Sequence, residues 1–259
     1  MDLVAQFFKL LFDATNQEFH PVNQWYPETF QTIITGYGNT IPRTDKIMES
    51  YSSYRLRTMG SGTTKDILKL LNWEENSPVN IPDYLDQRYE GKPHLSLYKL
   101  NDYPWSLPPG VEHWVLWIRG HQTSIEAFKL SDDDEGSLPA GYDSQERLEV
   151  LQDYVESCNL FGYYGVPEVR VNHFRWAERF HENDRLWRHE TKKQTVNREE
   201  AEEAMRWVGR HTTSFIKKRF PEDQYEVLWN RNPASVRTVP YPEHIHVLVL
   251  KKENNLKQI

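Results

Sequence analysis

The sequence predicts an α+β fold, a helical N-terminal layer packed on a small, mainly antiparallel sheet, in a single compact domain spanning residues 1–259. Three observations predict it. Residues 1–75 place apolar side chains at helical spacing, with breaks at Gly36 and Gly60. From His94 the pattern changes to short alternating or aromatic runs: HLSLYKL, VEHWVLW, YEVLW and HIHVLVL. No internal repeat and no low-complexity linker divides the chain, so 1–75 reads as the helical part and 94–250 as a mixed α/β, catalytic part of one unit.

The elements follow in order. Leu3, Phe7, Leu10, Leu11 and Ala14 share one stripe, so MDLVAQFFKLLFDA reads as an amphipathic helix. Its acidic second residue and lack of a small-residue cleavage site argue against a signal peptide. A second helix is expected over 27–35, stopping at Gly36, and a third between Arg43 and Gly60. A fourth follows SGTT, with Thr63 or Thr64 as N-cap and Ile67, Leu68 and Leu71 as the core face. NSPVNIPDY is a connector. HLSLYKL alternates as a strand does, NDYPWSLPPG is a loop, and VEHWVLWIRG reads as a strand buried on both faces. SDDDEGSLPAGYDS is an acidic surface loop, and a helix over 145–158 follows it. EVRVNHFRW is a possible strand. NREEAEEAMRWVGRHTTSFIKKRF is the clearest helix, with acids first, cations last, and a stripe at Ala201, Met205, Val208, Thr212 and Phe215. YEVLW and HIHVLVL are the closing strands.

Composition narrows the class. Nine Trp, fourteen Tyr and eleven Phe suit a core, and also pockets that stack planar groups. The lone Cys158 rules out an internal disulfide framework and fits a reducing, cytoplasmic setting. No apolar run approaches the ~18 residues of a transmembrane helix, so no membrane partner is expected. The net charge of −7 argues against DNA or any general nucleic-acid surface. Yet residues 170–219 hold 13 Lys and Arg against 8 Asp and Glu, a balance of +5. Arg185, Arg188, Lys192, Lys193, Lys217, Lys218 and Arg219 are the densest cations there. Such a region either grips a polyanion or is a solvated helix face.

Three clusters could carry chemistry. In EHIHVLVL, His244 and His246 share a strand face. A lone His-x-His lacks the further ligands of a metal site, so no metal and no cofactor is expected. An imidazole can exchange protons near neutral pH, and a second can tune it. The alternative is a pair of histidines bonded to backbone or carboxylates at a strand end. In PEDQYEVLW, a short helix after Pro221 would put Glu222 and Glu226 one turn apart beside Asp223, a carboxylate group suited to acid–base work or to a guanidinium. It can equally be an exposed helix start. In NDYPW and VEHWVLW, Asn101, Asp102, Trp105, His113 and Trp117 could line a stacking pocket, or be core. Trp229 and Asn230 of WNRN join them as substrate-binding candidates. No GxxxxGK[ST] and no GxGxxG stands between strand and helix, so a phosphate loop is unsupported.

Two resemblances arise from these motifs. SVRTVPYPEHIHVLV is partly similar to the strand of histidine-triad nucleotidyl hydrolases, but the third alternating position is Leu248. More of the chain, about residues 25–250, resembles the fungal family named after an N-acetylglucosamine-induced protein. RTDKIMESYSSYRLRTMGSGTTKDILKLLNWE, NDYPWSLPPGVEHWVLW and WNRNPASVRTVPYPEHIHVLVL carry that likeness. The resemblance implies an arginine-containing cyclodipeptide synthase of fungal secondary metabolism. Its partners would be arginyl-tRNA and a second aminoacyl-tRNA, and it would need no ATP. It also implies an Asp-Asp-x-x-Glu motif, whose best match is Glu222 to Glu226, with the Asp132 to Glu135 run as rival. Under this reading Glu222, Asp223, Glu226, His244 and His246 form one catalytic site, and the basic region holds tRNA. A histidine-triad-like hydrolase or transferase, or a non-catalytic metabolite-binding protein, are the alternatives.

Overall fold

The computed structural model describes residues 24–34, 41–58, 62–73, 81–120, 123–131, 134, 137–166, 187–189, 191–233, 237, 239 and 241–252. Five strands form one sheet in the order β1 (Ser96–Leu100), β2 (Val111–Ile118), β7 (Glu243–Lys251), β6 (Tyr225–Arg231) and β3 (Leu160–Tyr164). All four pairings are antiparallel. Two short strands, β4 (Trp187–Arg188) and β5 (Thr195–Val196), pair separately. The helices are α1 (Phe30–Ile34), α2 (Asp45–Thr58), α3 (Gly62–Leu70), α4 (Gln145–Ser157) and α5 (Arg198–Arg219). The α+β class expected from the sequence is the one observed.

Alternation along the strands sends side chains to two helical layers. On one face Trp25, Phe30, Ile33, Ile34 and Ile41 pack with Trp105 on Phe161, Leu228 and Leu248. On the same face Ile67, Leu68, Leu71 and Trp73 pack on Val115 and Trp117. This is the N-terminal layer, and the core face expected for α3 is the buried one. On the other face α4 and α5 bury Leu151, Val155, Met205 and Val208 against Leu116, Ile118, Val227, Trp229, Ile245 and Val247. The stripe read from Ala201 to Phe215 is buried as its spacing requires. Asn197 caps α5 by accepting from the Glu200 N–H at 3.0 Å, and Ser144 caps α4 from Arg147 at 3.3 Å.

Trp229 shows how closely this second layer is fitted. It is fully buried, and Gly162 and Gly209 make room for its ring. A Cβ on Gly162 would lie 2.6 Å from the indole nitrogen. Gly162→Ala is therefore expected to lower stability by about 1–3 kcal/mol through overpacking. A denaturant melt with an unshifted midpoint would contradict this packing.

Three local expectations are corrected. Helix α3 starts at Gly62, so Thr63 and Thr64 lie inside it and neither is its N-cap. The segment after Pro221 is a turn, with the Gln224 and Tyr225 N–H groups both donating to the Pro221 carbonyl at 3.0 Å. Tyr225 then opens β6, because YEVLW pairs on both sides, with β3 and with β7. Strand β3, LFGYY, had no counterpart in the sequence reading. The helix expected at the N-terminus and the strand expected at EVRVNHFRW fall outside the described residues. Among the described residues, no helix is long and apolar enough to cross a membrane.

Candidate functional site

A polar slot crosses the sheet face covered by the N-terminal layer. His244 and His246 point to that face, as their spacing predicts. Cross-strand pairing sets Trp117 opposite His244, Val115 opposite His246 and His113 opposite Leu248. On the other side of β7, Asn230 stands opposite His246. The loop from β1 to β2 folds back so that Trp105 covers His113 and His246, with ring centroids 4.5 and 4.7 Å away. Trp117 lies 5.0 Å from the His244 ring. The slot is therefore three imidazoles between two indoles, each imidazole at most 8 % exposed.

One backbone group fixes the proton positions. The Trp105 N–H donates to His113 Nδ1 at 3.2 Å. Nδ1 must then carry a lone pair, so the proton of neutral His113 is on Nε2. That Nε2–H donates to His246 Nδ1 at 3.0 Å. His246 in turn carries its own proton on Nε2. The Asn101 amide nitrogen, 3.2 Å from His113 Nε2, is thereby a neighbour rather than a donor, because its oxygen already accepts from the Tyr103 N–H at 2.9 Å.

All three rings are held neutral. Burial, aided by the Arg43 charge, pushes His113 down to about 3. Burial and the Arg237 charge push His244 down to about 4, although the Pro242 carbonyl works the other way. His246 is lowered well below its ordinary value by burial, then by its histidine neighbours.

Asparagines orient the opposite wall. Asn159 Nδ2 donates to the Ile33 carbonyl at 3.0 Å, which turns its oxygen toward Asn230. Asn230 Nδ2 donates to that oxygen and to Asn232 Oδ1, both at 3.2 Å. Asn230 Oδ1 therefore faces away from these partners. It is buried and, among the described residues, it has no hydrogen-bond partner; the same holds for His244 Nδ1.

Beside the slot, on the far face of the sheet, lies a charge network the sequence reading missed. Arg231 Nε donates to Glu243 Oε2 at 2.7 Å and its Nη2 to Glu156 Oε2 at 2.5 Å. Arg237 bonds the same two carboxylates and the Asn232 carbonyl. Burial works against the Arg231 charge, but Glu243 and Glu156 outweigh it and its pKa is raised. The available signal was an arginine closing one apolar strand and a glutamate opening the next, at facing ends of an antiparallel pair.

The structure separates several residues that the sequence reading grouped. Glu222 and Asp223 are exposed in the turn before β6. Glu222 pairs with Lys217 at 2.6 Å, and that bond holds its carboxyl below the usual range. Glu226 is half-buried, accepts from Trp25 Nε1 at 2.8 Å, and shares the histidine face. Four residue steps along the strand separate it from Asn230, about 13 Å, with the buried Leu228 and Leu248 between. The single catalytic cluster of Glu222, Asp223 and Glu226 with His244 and His246 is thus not formed, because the segment is turn and strand rather than helix. Trp229 faces the α5 layer and donates to Thr213 Oγ1 at 3.1 Å, so it belongs to the core and not to the slot. Asp102 is exposed.

In the rival acidic run, Asp134 is bound by Arg210 through two 2.8 Å bonds, which keep its carboxyl ionised. Asp132, Asp133 and Glu135 lie outside the described residues, as does Arg185, and nothing is placed for the Arg188 side chain. The remaining cations do not form one patch. Lys192 pairs with Glu149 in the turn between β4 and β5, where Lys193 also lies, near the start of α5. Lys217, Lys218 and Arg219 are at the other end of that 22-residue helix, about 33 Å away. Lys218 pairs with Glu90, and Arg219 lies over the Tyr98 and Trp114 rings. An open hollow along the first turns of α5 is lined by Asn197, Glu199, Glu200, Glu202, Glu203 and Arg206, and holds none of the histidines. Among the described residues, no three His, Cys, Asp or Glu side chains converge as metal ligands.

No family model matches the chain. A curated relative, "Uncharacterized protein YPL067C" of Saccharomyces cerevisiae, is 26 % identical over 108 residues, 41 % of this chain. The chain spans about half of that relative, 54 % of its length. A solved structure titled "Crystal Structure of HTC1" superposes with a TM-score of 0.39 and 17 % identity, covering 87 % of this chain and 84 % of that one.

Proposed function

We propose that this protein is an aminoacyl-tRNA-dependent synthase of an arginine-containing cyclic dipeptide, with the histidine–asparagine slot as its reaction centre. One observation carries the reading. Two of the three motifs behind the sequence resemblance converge on one place: Asn101, Trp105 and His113 from NDYPW and VEHW meet Asn230, His244 and His246 from WNRN and EHIH. His113 and His246 touch although they are 133 residues apart in sequence.

The chemistry asked of the slot is modest, because the ester of an aminoacyl-tRNA is already activated. The α-amine of one aminoacyl group attacks the ester carbonyl of the other. A C–N bond forms, the C–O bond to the ribose breaks, and the amine proton goes by way of an imidazole to the departing ribose oxygen. A second, intramolecular attack closes the ring and releases the second tRNA. Neutral imidazoles serve here: a lone pair on His244 accepts the proton, and the His246 Nε2–H faces the carbonyl oxygen as charge develops. Trp105 and Trp117 exclude water that would hydrolyse the ester. Glu226, the half-buried carboxylate of the 222–226 stretch, is the candidate for the guanidinium, at a subsite distinct from the histidines.

Mass spectrometry of extracts from a host expressing the chain tests this. A cyclic dipeptide containing arginine is expected, lost in His244→Ala and depleted in Glu226→Gln while the fold persists. Full product from Glu226→Gln would remove the acidic stretch from arginine recognition. No cyclic dipeptide from the folded wild type would overturn the reading. The histidine-triad alternative is disfavoured by the third position of the strand, since Leu248 is fully buried among apolar side chains.

A further inference from the structure

We propose that Asn230 Oδ1 and His244 Nδ1 form a two-acceptor seat for a primary amine, the α-amino group of the aminoacyl substrate. The choice of amine rests on the function proposed above, but the seat itself rests on its atoms. Both are buried, and neither has a partner among the described residues. An unpaired buried acceptor is costly, so such atoms are kept where a ligand supplies the missing bond.

The two atoms are suitably placed. Asn230 is opposite His246, and His244 is two residues further along the same strand face, so Asn230 and His244 are diagonal neighbours. Their α-carbons are about 7–8 Å apart by sheet geometry and their β-carbons somewhat closer, a span that one small donor group can bridge. The orientation of the asparagine is dictated from outside the slot, by the Ile33 carbonyl through Asn159. Rotating the Asn230 amide to hide its oxygen would turn two donors away from two oxygens. The histidine completes the seat in the tautomer whose proton is on Nε2.

The chemical class of the occupant follows. Two acceptors and, among the described residues, no nearby free carboxylate suit a group with at least two polar hydrogens and little need of a counter-ion. The charges that reach this spot are cationic, Arg237 and Arg231 for His244. They disfavour an ammonium and favour the neutral amine, which is the nucleophilic form. The indole of Trp117, with its ring centroid 5.0 Å from that of His244, closes one side, and His244 and His246 are each 8 % exposed. A hydroxyl ligand could satisfy one acceptor only; an amine satisfies both and keeps its lone pair for attack. His244 is then the catalytic proton acceptor, and Asn230 aims the nitrogen.

Histidine-labelled full-length protein observed by long-range proton–nitrogen NMR tests the seat without turnover. L-Arginine methyl ester is the probe and Nα-acetyl-L-arginine methyl ester its control. The His244 Nδ1 resonance is expected to read as unprotonated in the free protein and to move toward hydrogen-bonded values with the free amine, but not with the acetylated ester. Asn230→Ala should weaken binding of the amine about tenfold, the worth of one hydrogen bond. Should that variant unfold, the wild-type titration decides alone. A protonated Nδ1 in the free protein, no movement at saturating ester, or equal movement with the acetylated control would each overturn the seat. The two proposals fail separately: an amine-dependent shift without any cyclic dipeptide sinks the synthase and keeps the seat, whereas product without the shift does the reverse.

Discussion

Lowering the pH from 7 to 5 is expected to remove about 7 kcal/mol of folding stability. The cause is three buried imidazoles and the half-buried His211, whose folded pKa values lie below the unfolded 6.5: His113 at about 3, His244 and His211 at about 4, and His246 lowered well below its ordinary value. Above pH 6.5 both states are neutral there and stability is fully present. Below it the unfolded chain binds protons that the native slot refuses, so stability falls until the pH reaches the folded values. Near pH 5.5 almost four protons separate the two states, a slope of about 5 kcal/mol per pH unit. A domain of ordinary stability, about 5–15 kcal/mol, would then be close to unfolding at pH 5. Urea melts at half-unit intervals measure the slope, and a value below about 1 kcal/mol per unit would contradict the buried neutral rings. His211→Gln should reduce it by about a quarter, since that ring is apart from the slot, stacked on Tyr84.

Glu243→Gln should cost about 3–5 kcal/mol at pH 7, because it leaves two buried guanidinium groups with a single carboxylate. Arg231 is 1 % exposed and Arg237 9 %, so water does not replace the lost charge. The Lys217–Glu222 pair is of similar length but its partners are 40 % and 54 % exposed, and Glu222→Gln should cost less than about 1 kcal/mol. Chemical denaturation of the two variants side by side checks the contrast, and equal losses would show that the network is not desolvated.

How much of this was legible in the sequence depended on whether the signal was local. The stripe of α5, the core face of α3 and the alternation of β7 were legible because each is a period within one element. The joint face of His244 and His246 followed from the same rule. His113 and Trp105 were legible as candidates, but their meeting with His246 depends on β2 and β7 being neighbours, which no local pattern encodes. Glu222 and Glu226 misled for a related reason. Helical spacing of two acids means something only if the segment is helical, and pairing with β3 and β7 made it a turn and a strand. Trp229 misled because adjacent residues on a strand face opposite ways: Asn230 reached the slot and Trp229 the core. The role of Gly162 becomes visible only once β3 is set against β6, under an indole 67 residues further along the chain.

The strand order carries a consequence for synthesis on the ribosome. β7 lies at the centre of the sheet, between β2 and β6, yet it is the last of the described strands to be translated. Before it emerges, the nascent chain holds two unjoined ribbons, β1 with β2 and β3 with β6, each offering an open edge. His113 waits without His246, Asn230 has no imidazole across from it, and Arg231 lacks Glu243. Cooperative folding therefore waits for β7 to emerge, and is dominated by late, long-range pairing and correspondingly slow. A ribosome-bound chain arrested before Glu243 should remain protease-sensitive throughout, and become resistant only when a C-terminal extension longer than the exit tunnel lets Lys251 emerge before arrest.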